Sequence, residues 1–125
     1  IWRVVIHNHK MVPMFKFMLM FYQPSDPLAF EDSYQHLLGL IERMPDIQRR
    51  QVIHVVGSPT GPSKFYRILE VYYADQSQMN QSLLSPAGQE AGQQIQSFSP
   101  ESFELAFADV YEEPGGATDT GAVSS

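Results

Sequence analysis

Glu70 is the side chain best placed in this sequence to move a proton. It sits in Ile68-Leu-Glu-Val-Tyr-Tyr73, one carboxyl among branched and aromatic residues. In a strand, Ile68, Glu70 and Tyr72 share one face. Such surroundings raise a carboxyl pKa, which suits acid–base work near neutral pH. The alternative is an ion pair with Arg or Lys on a neighbouring strand. Tyr22, Tyr66 and Tyr72 can supply ring walls and hydroxyl donors to a small apolar ligand. They can equally be packing residues.

Four histidines offer imidazoles that titrate near neutrality: His7, His9, His36 and His54. His36 lies roughly 130° around a helix from its apolar stripe, at about 100° per residue. It is either an exposed histidine or a base at the mouth of a pocket. His54 alternates with Val52 and Val56, so it meets a ligand only if that face is interior. Otherwise it is a core histidine. His7 and His9 have strand-like His-x-His spacing, but no third ligand is near, so no metal is expected. No Gly-rich phosphate cradle is present. Gly115 and Gly116 precede no helix, so no nucleotide cofactor is expected.

The elements that must position these groups follow from periodicity. Phe15 to Tyr22 is apolar on both faces, as in a strand covered on both sides. Residues 26–44 read as a helix. Phe30, Tyr34, Leu37, Leu38, Ile41 and Met44 form its stripe, and Asp26 and Pro27 open it. Met44-Pro-Asp46 closes it. Ile47 to Gly57 is a second strand, and residues 58–63 are turn-rich. Phe65 to Tyr73 is a third strand. A helical segment runs from Gln76 to about Leu84, restarts at Ser85 and Pro86, and ends near Gln96. Phe103 to Tyr111 is the fourth strand.

That order predicts an α+β, ferredoxin-like β-α-β-β-α-β fold with an antiparallel sheet. Right-handed crossovers put both helices on one face. The other face is then bare and apolar, and the economical cover is a second copy. A homodimer is expected.

At 125 residues with no cysteine and a net charge of −6, the chain reads as one domain without disulfides. Residues 14–113 are the expected domain. Residues 1–13 read as an N-terminal extension outside it, and residues 114–125 as a disordered tail. The eight basic residues are scattered, which argues against nucleic acid. The apolar runs are too short to cross a bilayer, and no signal peptide is evident. A cytoplasmic protein is the expectation.

Two stretches carry a family resemblance: Tyr22-Gln-Pro-Ser-Asp-Pro-Leu-Ala-Phe30 and Leu84-Ser-Pro-Ala-Gly-Gln-Glu-Ala-Gly92, with Phe98 following. With Glu70 on the third strand, the chain from Phe15 to Glu113 resembles the EthD family of small dimeric α+β barrel proteins, often labelled reductases. The resemblance implies an oxidoreductase-type role on an apolar or aromatic compound in a cofactor-free barrel pocket. It equally implies an accessory, ligand-binding role beside a separate oxidation system. Family members carry a late-helix His followed by Leu-Pro-Leu or Val-Pro-Leu. Here Tyr34-Gln-His-Leu-Leu-Gly-Leu40 lacks the proline, and His36 aligns with that His through compensating gaps. Glu70 and His36 are the candidate catalytic residues. Tyr22, His54, Tyr66 and Tyr72 are the candidate ligand contacts.

Overall fold

A computed structural model describes residues 14–116 of the chain. The expectations for residues 1–13 and 117–125 lie outside the described residues. The elements are β1 (Met14–Tyr22), α1 (Pro27–Ile41), β2 (Arg49–His54), β3 (Phe65–Tyr73), α2 (Gln76–Leu84), α3 (Pro86–Gln96) and β4 (Phe103–Val110). A single 3-10 turn, Pro100–Ser102, leads into β4.

Each helix start has a chemical cause. The Asp26 carboxylate accepts from the Ala29 N–H at 3.2 Å, with Pro27 next. Asp75 accepts from the Gln78 N–H at 2.8 Å. Ser85 accepts from the Gly88 N–H at 3.1 Å, with its own backbone extended, and so splits α2 from α3. Gly88 makes that sharp join possible. A Cβ there would stand 2.2 Å from the Ser82 carbonyl oxygen and 2.4 Å from that of Leu83. The Ser-Pro-x-Gly run is therefore a steric requirement of two abutting helices.

The four strands form one antiparallel sheet in the order β2-β3-β1-β4. Alternation along β1 sends Phe15, Phe17, Leu19 and Phe21 into the core. Leu69, Val71 and Tyr73 join them from β3, and Phe30, Tyr34, Leu37 and Ile41 from α1. The buried Tyr73 hydroxyl shares a 2.9 Å hydrogen bond with Ser82, which fixes α2 to the sheet. Gln94 of α3 donates to the Ser33 carbonyl of α1 at 3.1 Å.

The helices occupy one face. Lys16, Met18, Met20 and Tyr22 of β1 therefore point to the other, with Ile68, Glu70 and Tyr72 of β3. Register places Gln51 and Ile53 of β2, and Ala106 and Ala108 of β4, on that same bare face.

Two boundaries are shorter than the sequence predicts. α1 stops at Ile41, because Arg43 and Met44 donate to carbonyls three residues back and Asp46 turns left-handed at φ 68°. β2 ends at His54, before Gly57 and the Ser58–Gly61 turn.

Candidate functional site

The bare sheet face carries a compact polar group at one end. Tyr72 donates to Glu70 Oε1 at 2.7 Å, and Lys16 Nζ lies 3.3 Å from Glu70 Oε2. The Arg49 guanidinium sits 4.1 Å from the Tyr72 ring centroid. Glu70 thus points away from the helices, as its strand parity requires. It is held by a lysine from the neighbouring strand, the ion-pair alternative that the sequence left open. Tyr22 shares this face but lies at the other end, stacked on Phe65 at 5.3 Å and hydrogen-bonded to Glu104.

The other sequence candidates lie elsewhere, against expectation. Tyr66 does not share the Glu70 face. The pairing of β1 with β3 skips from Phe21↔Arg67 to Tyr22↔Phe65, and this bulge turns Tyr66 toward α1. There its ring meets Phe30 edge-on at 5.3 Å, and its hydroxyl donates to Glu31 at 3.0 Å. His54 pairs with Arg67, so it lies on the helix side of edge strand β2, and it is exposed. His36 is exposed on the outer groove between α1 and α3, beside Leu40 and Arg43. The sheet and the helix layer separate His36 from Glu70, so no small ligand touches both.

Sequence reasoning missed a buried polar cluster. Arg67 is 4 % exposed and forks onto Glu31, with contacts of 3.1 and 2.7 Å. Its guanidinium lies 4.8 to 5.5 Å from the rings of Tyr34, Tyr66 and Phe30. The signal was an arginine on the Leu69–Val71 face of a strand, which needs a buried anion. Burial lifts the Tyr34 phenol pKa to about 12, so it stays a neutral hydroxyl. The Arg67 hydrogen bonds hold the Glu31 carboxyl below its ordinary value of 4.5. A pKa lowered by folding adds stability that is complete above the unfolded value and is lost as pH falls through the folded one. Glu31→Gln should therefore cost about 1.5–3 kcal/mol at pH 7, the worth of hydrogen bonds to a charged group. The gap to wild type should narrow below pH 4.5. Urea titrations across pH 3–7 check it; a gap that stays constant with pH would refute the assignment.

A second feature is an apolar cleft of about 220 Å³ on the helix side. Phe17 floors it, Ile41 and Met44 close one end, and Ala91, Gly92 and Ile95 of α3 form a wall. Leu105 and Phe107 of β4 stand at its rim, 48 % and 54 % exposed, because the helices do not reach over this edge strand. Its polar side chain is Gln89, and no ionisable side chain lines it. The cleft therefore suits a small uncharged molecule.

Comparison with known proteins fixes the kinship. No family model matches the sequence. A crystal structure of an ethyl tert-butyl ether D (EthD) family protein from Bacillus halodurans is 30% identical, with a TM-score of 0.73. The match covers 81% of this chain and 99% of that one. The chain belongs to the EthD family. The chain is also similar to an uncharacterised 11.0 kDa protein of the thcB–thcC intergenic region of Rhodococcus erythropolis, 23% identical over 77% of this chain and 94% of that one. More distant structures share the fold alone. A dimeric ferredoxin-like protein of unknown function from Jannaschia is 12% identical, with a TM-score of 0.59 over 78% of this chain and 99% of that one. SnoaB, a cofactor-independent oxygenase from Streptomyces nogalater, is 11% identical, with a TM-score of 0.57 over 82% and 95%.

Proposed function

We propose that this EthD protein is a homodimer that takes a small apolar or aromatic compound into the cleft between α3 and β4. Its role is of the oxidoreductase type, without a bound cofactor. The carrying observation is the cleft itself: apolar walls, one amide, and room for a small molecule. The cofactor-independent oxygenase SnoaB supports that chemistry by analogy of fold. In this reading the bare sheet face is the dimer surface, and the Jannaschia protein of the same fold is dimeric. Glu70, Lys16, Tyr72 and Arg49 then form a polar end of the interface rather than a catalytic acid and its neighbours. A cytoplasmic setting belongs to the same proposal, and a chain without cysteine is compatible with a reducing compartment. Among the described residues, no helix is long and apolar enough to cross a membrane.

One observation favours a second reading, a ligand-binding accessory to a separate oxidation system. No titratable side chain lines the cleft to move a proton. Native mass spectrometry with a panel of neutral arenes and branched ethers, followed by oxygen-uptake assays on the binders, separates the two. Binding with uptake supports the enzyme, and binding without it supports the accessory. A panel with no binder defeats both.

A further inference from the structure

Two glycines interrupt α3, and they have opposite reasons to be there. Gly88 is compelled by backbone contact, as described above. Gly92 is not: a Cβ built on it meets nothing within 4 Å. A glycine inside a helix costs about 1 kcal/mol relative to alanine. Packing does not account for that cost at Gly92. What it yields is space, since Gly92 lines the α3–β4 cleft.

We propose, resting on the reading of that cleft as the ligand site, that Gly92 sets the size limit of the ligand and that the ligand is an uncharged single-ring compound or its branched equivalent. The volume sets the size of the part that the cleft can cover. An apolar cavity of about 150 Å³ holds benzene. The cleft here is about 220 Å³, which matches one ring with alkyl substituents and leaves three fused rings projecting past the exposed Leu105 and Phe107 rim. The walls set the charge. Gln89 supplies an amide, and no cation or anion is present to pair a carboxylate or an ammonium, which would pay its full desolvation cost.

Four probes test this by ligand-observed NMR on the full chain: toluene, p-cymene, anthracene and benzoate. Wild type should bind toluene and p-cymene, and neither anthracene nor benzoate. Gly92→Ala should weaken p-cymene at least 10-fold while keeping toluene. Gly92→Leu should lose both. Circular dichroism checks that each variant is folded, and alanine at this open helical site should stabilise it slightly. Benzoate bound as tightly as toluene overturns the charge assignment. Toluene and p-cymene bound equally by wild type and folded Gly92→Leu overturn the role of Gly92, while leaving small-molecule binding intact. No binding of any probe by wild type removes the cleft as a ligand site, and the inference falls with it.

Discussion

Replacing Phe21 with alanine is expected to lower the unfolding free energy by about 3–5 kcal/mol, the usual cost of deleting a fully buried ring. Phe21 is the hub of the core beneath α1. Its centroid lies 5.1 Å from Phe30, 5.8 Å from Tyr34, 5.0 Å from Phe98 and 5.9 Å from Phe103. These rings come from three separate parts of the chain, α1, the turn after α3 and the start of β4, so they are not free to close over the gap together. Arg67 stands over two of the same rings, which stiffens the surroundings further. Urea unfolding at one fixed protein concentration reads the effect as a lower midpoint with an unchanged slope. A loss under about 1.5 kcal/mol would mean that the cluster repacks, contrary to its geometry.

Ile68→Asp is expected to turn the proposed dimer into a monomer, weakening association at least 100-fold, or about 2.7 kcal/mol. Ile68 lies on the bare face, paired with Met20 on one side and Ile53 on the other. In a monomer an aspartate there reaches water. In a symmetric dimer each copy brings one, and burying like charges together costs several kcal/mol. Sedimentation at micromolar concentration should give two chains for wild type and one for the variant, with unchanged far-ultraviolet circular dichroism. A wild-type monomer at that concentration would refute the use of this face.

Most of the architecture was legible because it is written in local signals. The period-2 run at Phe15–Tyr22, the stripe through Phe30 and Ile41, and the two proline caps each specify their own element. The split at Ser85 was readable for the same reason. The side-chain assignments fared less evenly. Glu70 and Tyr72 fell on the expected face because alternation holds through the middle of β3. It fails at Tyr66, where one extra residue in the ladder reverses the parity, and nothing in Phe65-Tyr-Arg67 announces a bulge. His54 was correctly grouped with Val52, but only the register with Leu69 and Arg67 reveals which side they occupy. The cleft was invisible for a different reason. It is a gap between α3 and β4, and a gap depends on where helices stop covering a sheet.

The strand order has a consequence for how the molecule comes together and comes apart. β1 is central, yet its partners are distant along the chain: Phe15 faces Tyr73 on one side and Asp109 on the other. The β2–β3 hairpin can form early, whereas β4 must wait for nearly the whole domain to be synthesised and its ends to meet. Among the described residues its ladder runs along β1 alone. Peeling β4 away would break one ladder while the hairpin and α1 stay in place. Leu105 and Phe107 travel with that strand, so the last piece to assemble also brings the rim of the cleft.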